Sequence, residues 1–212
     1  MAMTDFSKIS LDSIIAEAKA QKSVAVSEES KQEIADFLDK CEYQRTNERL
    51  FNGLCWLGGS ELERSTCRGL LLRGTPGIGK TYGMKLLAQK FGWMFVTAQD
   101  VEAFYKTEPS QEQWEDFCRA LNFFQEPKTL VIDDLGVETF PFVHYGKPGN
   151  PLAELLEIRY RISFLRDKVR TIVTSNLSEA ELKTRYGYRL CDRFKEMFYN
   201  IAIDGESMRK TA

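Results

Sequence analysis

Residues 74–81 read Gly74-Thr75-Pro76-Gly77-Ile78-Gly79-Lys80-Thr81, with the spacing G-x-x-x-x-G-K-[ST]. Each residue type has a physical use at its place. The glycines let the backbone turn tightly and aim consecutive N–H groups at one anionic centre. Lys80 can then reach the β- and γ-phosphates of a nucleotide, and the Thr81 hydroxyl can sit on Mg²⁺. A helix starting at Lys80 adds its positive N-terminus to the same site. The flanks agree: the apolar run Gly69-Leu70-Leu71-Leu72-Arg73 leads in, and a helical pattern from Lys80 to Gln89 leads out. The stretch predicts a phosphate-binding loop.

Two carboxylates are the next candidates. Asp133 and Asp134 follow the apolar run Thr129-Leu130-Val131-Ile132. In a parallel sheet, residues at the strand ends share one edge with bound phosphates. Asp133 is expected to hold Mg²⁺, and Asp134 to orient or deprotonate an attacking water. The plainer alternative is an acid pair that caps the next element. Asn176 ends the following strand, Val169–Thr174 with Ser175, and its amide could touch a γ-phosphate or the water. Arg189 and Arg193 lie four apart, on one helix face. Arginine suits phosphoryl charge, although two arginines on a helix are more often a solvated face.

The elements that must position these groups alternate between strand and helix. An amphipathic helix is expected over 10–21, from Leu11, Ile14, Ile15 and Ala18, followed by a linker over 22–27. A second helix should start from a Ser30–Glu33 capping box, and a third should stop at Gly58-Gly59. Beyond the loop and its helix come a strand over 93–98, a helix over 100–106 and a helix capped by Ser110 and Gln113. Leu135 to Gly149 reads as a loop containing His144. Asn150 caps a helix with Pro151 at its first position. After the Val169 strand, Ser178 and Glu181 open a helix that Gly187 interrupts, a short helix spans 190–198, and Ile201 to Ile203 forms a last strand. The alternation predicts an α/β fold with a parallel sheet covered on both faces.

Composition limits the function classes. The 212 residues carry a formal charge of −2, which argues against a broadly basic nucleic-acid binder and leaves only local patches. Lys106 and the cluster Arg166, Lys168 and Arg170 are the candidates for such a patch, although such side chains are more often simply solvated. No apolar leader and no apolar stretch of membrane-spanning length is present, so a cytoplasmic protein without a membrane partner is expected. Five scattered cysteines read as reduced thiols, and a single histidine excludes a histidine-based metal site or triad.

The order of the 74–81 loop, Ile132-Asp133-Asp134-Leu135-Gly136, Thr174-Ser175-Asn176-Leu177-Ser178 and Arg185-Tyr186-Gly187-x-Arg189-x-x-x-Arg193 resembles the AAA+ ATPases of the DnaC/IstB type. That family comprises bacterial and phage replicative-helicase loaders and transposon helper ATPases. The resemblance covers about Glu42 to Arg209. It implies a P-loop NTPase three-layer αβα sandwich with a parallel sheet, an AAA+ core lacking a full C-terminal lid. It also implies ATP and Mg²⁺, with 74–81 as Walker A, Asp133 and Asp134 as Walker B, and Asn176 as sensor 1. Arg193 matches the arginine finger that reaches a neighbouring subunit's ATP, and Arg209 resembles the sensor 2 arginine. Asp134 departs from the glutamate of most AAA+ proteins, and the amino-terminal region is shorter than a loader's helicase-binding domain.

On this reading residues 1–27 are a helix and linker that either pack on the body or dock a partner, and residues 28–212 are the ATPase domain. The expected function is an ATPase that assembles as an arc, ring or spiral on single-stranded DNA and loads a replicative hexameric helicase. The alternative is a transposition helper that engages duplex DNA and a transposase. A small-molecule kinase and a nucleotide-gated adaptor are further alternatives; Asn176 and the paired arginines count against the kinase.

Overall fold

The computed structural model describes residues 25–64, 66, 68–119, 129–144, 147–165, 169–205 and 207. Five strands, β1 (Gly69–Gly74), β2 (Met94–Thr97), β3 (Leu130–Leu135), β6 (Thr171–Ser175) and β7 (Phe198–Ile203), form one parallel sheet in the order β2-β3-β6-β1-β7. Side chains alternate across it. Leu70, Leu72, Val131, Ile172 and Ile203 face α1 (Glu28–Lys40), α2 (Glu48–Glu63) and α3 (Lys80–Phe91). Leu71, Leu130, Ile132, Val173 and Phe198 face α4 (Ala98–Tyr105), α5 (Gln111–Arg119), α6 (Pro151–Leu165) and α7 (Glu179–Met197). The chain is therefore an α/β protein whose sheet is buried on both faces, which is why its strands read as continuous apolar runs.

Several helix starts follow their local chemistry. Ser110 and Gln113 exchange hydrogen bonds at 2.8 and 3.2 Å, and Asn150 Oδ1 accepts from the Ala153 N–H at 2.9 Å. Ser178 and Glu181 form the capping box of α7, and Gly187, at φ 81° and ψ 158°, breaks that helix in two.

Other expectations change. Helix α1 starts one turn before the Ser30 signal, with Ser27 as N-cap. Ser27 also donates from N and Oγ to Glu63 Oε1, at 2.8 and 2.5 Å, so the helix start is tied to the end of α2. Val26, expected in a linker, is buried. The helix expected over 10–21 lies outside the described residues. Helix α2 runs through Gly58 and Gly59 rather than stopping there. A Cβ at Gly58 would lie 2.8 Å from Ile34, and one at Gly59 would lie 2.6 Å from Val26. These glycines allow close approach of α1 and its entry segment instead of ending a helix. The stretch expected as a loop over 135–149 contains an antiparallel ribbon, β4 (Phe142–His144) with β5 (Lys147–Gly149), so His144 is a strand residue. Strand β7 begins at Phe198, earlier than expected, and pairs with β1 along all six of its residues.

No helix among the described residues is long and apolar enough to cross a membrane. Cys41, Cys55, Cys118 and Cys191 are free thiols.

Candidate functional site

The 74–81 loop leaves β1 and is pinned from below. The Thr75 N–H donates to Ile203 O of β7 at 3.2 Å, and Ile78 is 1% exposed in the core. A Cβ on Gly74 would fall 1.8 Å from the Ile203 carbonyl oxygen, so no side chain fits there. Gly77 and Gly79 take left-handed φ values of 83° and 97°, which other residues rarely adopt. Among the described residues the N–H groups of Gly77, Ile78 and Gly79 make no hydrogen bond. Helix α3 begins at Lys80, and no side chain of its N-cap, Gly79, caps the N–H groups of its first turn. The loop thus presents consecutive donors to an anion, with Pro76 exposed at its tip.

Lys80 is 4% exposed, and its ammonium donates to Gly74 O, Thr75 O and Asn176 Oδ1, each at 2.8 Å. A buried cation held by neutral oxygens has no carboxylate among these three partners. Phosphate charge delivered to the loop would compete with these neutral oxygens for the ammonium.

The strand order explains how the other groups arrive. Strand β6 lies between β1 and β3, so its end carries Asn176 between the loop and the acid pair. Asp133, 2% exposed, accepts at Oδ1 from Thr174 Oγ1 at 2.6 Å and from Thr81 Oγ1 at 3.1 Å. Asp134 Oδ1 accepts from Asn176 Nδ2 at 3.4 Å. In a regular strand adjacent residues point to opposite faces. Here the register between β3 and β6 slips between Ile132 and Leu135, and Asp134 has φ 54°. Such a bulge re-aims a side chain, and it brings both carboxylates to the loop side. A non-glycine residue in this conformation costs about 1–3 kcal/mol and persists only where its surroundings hold it. The holders are the Asp134 N–H, which donates to Thr174 Oγ1 at 2.9 Å, and Ser175 Oγ, which donates to Leu135 O at 2.6 Å.

Burial raises the Asp133 carboxyl above its ordinary value. The Thr174 hydroxyl opposes this, the Asp134 charge adds to it, and the Thr81 hydroxyl opposes it again. A raised value means that the fold favours the protonated form. Asp133's contribution to stability is then fully present below the unfolded carboxyl range, about pH 4, and is lost as pH rises through the raised value. We expect Asp133→Asn to be at least as stable as the parent at pH 7 in urea unfolding without divalent cation. Adding Mg²⁺ and ATP should stabilise the parent clearly more than the variant. A variant stabilised as strongly as the parent would remove Asp133 from any cation site.

Among the described residues no three His, Cys, Asp or Glu side chains converge as a metal centre. A cation at Thr81 and Asp133 would take its remaining ligands from phosphate and water. That hard-oxygen donor set is the one Mg²⁺ uses, and the buried, protonation-prone Asp133 gains from a nearby positive charge.

The arginines lie elsewhere. Arg189 is exposed beyond the Gly187 break. Arg193, 19% exposed, is ion-paired with Glu157 of α6, and its guanidinium lies 4.7 Å from the Tyr160 ring centre. Arg209 falls outside the described residues, as do Arg166 and Lys168. Arg170 was expected on a basic surface patch and is instead buried, paired with Glu61 at 3.0 Å and bonded to Thr66 O. Lys106 reaches Glu102 at 2.5 Å, one helical turn away. Neither Arg170 nor Lys106 is a free cation. Thr174 was not singled out from the sequence; it is one of three hydroxyl residues, with Thr171 and Ser175, in a five-residue buried strand.

No protein-family model matches the chain, and no curated protein matches it.

Proposed function

We propose that this chain is a Mg²⁺-dependent ATPase of the AAA+ class that acts on DNA-bound protein machinery. The observation that carries the reading is the convergence at three strand ends. Lys80 is tied to Asn176, Thr81 is tied to Asp133, and Asn176 also donates to Asp134. The N–H groups of 77–79 and the first turn of α3 hold the β- and γ-phosphates. The Lys80 ammonium exchanges the carbonyls of Gly74 and Thr75 for phosphate oxygens. Thr81 and Asp133 hold Mg²⁺, which supplies charge neutralisation and polarises the phosphoryl oxygens. Asp134, beside the Asn176 amide, orients and deprotonates the attacking water, and Asn176 spans the distance between that water and Lys80. The P-loop NTPase fold assignment belongs to the same proposal, because a parallel α/β sheet alone hosts many chemistries.

For the biological role we propose helicase loading on single-stranded DNA by an ATP-linked oligomer, following the resemblance in the motif order. Co-purification with a replicative hexameric helicase or with a transposase decides between the two partners.

The enzymatic claim is tested by steady-state ATP hydrolysis and by nucleotide titration of the parent and Asp134→Asn. We expect the variant to keep its ATP affinity within about twofold and to lose turnover by about 100-fold or more, as for a group that acts only in the transition state. Parallel loss of affinity and rate would make Asp134 a cation ligand or a structural acid. Absence of ATP binding by the parent would overturn the proposal.

A further inference from the structure

Glu138 lies four residues beyond Asp134 and is 5% exposed. Every oxygen of this residue is engaged. Oε2 accepts from the Gly136 N–H at 2.8 Å, and Oε1 accepts from Arg185 Nε at 2.9 Å and from the Tyr186 hydroxyl. Its backbone carbonyl accepts from Arg185 Nη2. One end of this cluster therefore grips the turn that re-aims Asp134. The other end grips the last residues of α7 before the Gly187 break.

The turn needs such a grip. Asp134 at φ 54° and Gly136 at φ 108° are both left-handed, with Leu135 between them. At Gly136 a Cβ would lie 2.4 Å from Leu177, so the turn is packed against the segment that leads into α7. Next door Thr139 donates from N and Oγ1 to Glu102, at 2.8 and 2.7 Å, which fixes the outgoing chain. On the helix side, Arg185 also lies over the Phe140 ring at 4.9 Å. Buried ion pairs of this kind contribute little net stability for their desolvation cost, yet they specify one geometry. Removing one partner strands the others without solvent.

We propose that Glu138 is a positioning residue that holds Asp134 in its re-aimed conformation and ties that conformation to the first segment of α7. The proposal rests on the ATPase reading above for its catalytic consequence and on the hydrogen-bond geometry for its structural one. Glu138 touches no reacting atom. It acts through Gly136 on the backbone of the acid pair, and through Arg185 and Tyr186 on the helix whose second segment carries Arg189 and Arg193. A shift of α7 relative to the sheet would reach Asp134 by this route, and loss of the Asp134 geometry would be felt at the Gly187 break.

The test uses Glu138→Gln, which keeps volume and one acceptor but places an amide donor against either the Gly136 N–H or Arg185. Arg185→Ala and the double variant accompany it. Two measurements are made on the full chain. The first is amide hydrogen exchange of 134–139 and 179–186 without nucleotide. The second is ATP hydrolysis per folded molecule, with kcat and KM separated. We expect exchange in both segments to accelerate about tenfold in each single variant, with little further change in the double, because the residues act as one unit. We expect kcat to fall about tenfold with KM within about twofold, since a misplaced acid loses transition-state contacts and spares phosphate binding. Exchange accelerated in the 134–139 segment alone, or additive effects in the double variant, would overturn the tie to α7. Unchanged exchange, or exchange changed with kcat per folded molecule intact, would overturn the positioning role. A parent that neither binds nor hydrolyses ATP sinks the ATPase reading, while the exchange arm still decides whether Glu138 holds the turn.

Discussion

Lys80→Ala is expected to abolish ATP binding, with titration calorimetry showing at least about a 100-fold loss of affinity. The ammonium donates to two carbonyls of the 74–81 loop and to Asn176, and charge-assisted contacts to phosphate are among the strongest hydrogen bonds available. The same variant should also be less stable. A loop lysine that only waits for phosphate would leave the fold untouched, but Lys80 is 4% exposed and its bonds to Gly74 O, Thr75 O and Asn176 close the loop on itself and on the end of β6. Its loss leaves Gly74 O, Thr75 O and Asn176 Oδ1 to find water, at a cost of about 1–3 kcal/mol where they cannot. Urea unfolding without nucleotide measures this directly. The two effects separate in Lys80→Arg. That variant restores charge and donors in a bulkier fork, so stability should recover more than affinity. Wild-type affinity in Lys80→Ala would refute the site.

The loop is also the part of the site most legible from the sequence, because its chemistry is local. Glycines, lysine and threonine act within eight residues, and their spacing alone dictates a donor-lined turn. Capping boxes are local in the same way, so the starts of α5, α6 and α7 follow from Ser110, Asn150 and Ser178. What escapes is decided by partners distant in the chain. Gly58 and Gly59 look like a helix stop, because a terminating glycine and a close-packed glycine are identical until Ile34 and Val26 arrive. Arg170 looks like surface charge until Glu61 buries it. Asp134 is the sharpest case. Two adjacent acids at a strand end should diverge by alternation, and their convergence depends on a left-handed φ held by Thr174, Ser175 and the Glu138 cluster.

Arg193→Ala is expected to leave ATP binding by the single chain unchanged and to remove ATP-dependent assembly, together with any stimulation by single-stranded DNA. In the single chain Arg193 is occupied: Glu157 pairs with it and Tyr160 lies beneath it. Action on a neighbouring subunit's γ-phosphate then requires exchange of the Glu157 carboxylate for phosphate, with ATP in the next protomer as the stronger anion. Such an exchange would make assembly conditional on nucleotide. The pair is partly buried, with Arg193 19% and Glu157 32% exposed, so its loss should cost about 1–3 kcal/mol, and urea unfolding of Arg193→Ala separates that cost from the assembly defect. Glu157→Gln should do the opposite and lower the ATP or protein concentration needed for assembly, because it frees the guanidinium in advance. The decisive measurement mixes Arg193→Ala with Lys80→Ala. A head-to-tail contact pairs the loop of one protomer with the arginine of the next. In an equal mixture the intact loop of an Arg193→Ala protomer can face the intact arginine of a Lys80→Ala protomer, and only that interface is complete. Partial recovery of activity, from two proteins inactive alone, is the expected outcome in an ATPase assay with light scattering to follow assembly. If both variants are folded and the mixture stays inactive, Arg193 does not act across an interface, and its pairing with Glu157 is the whole of its role.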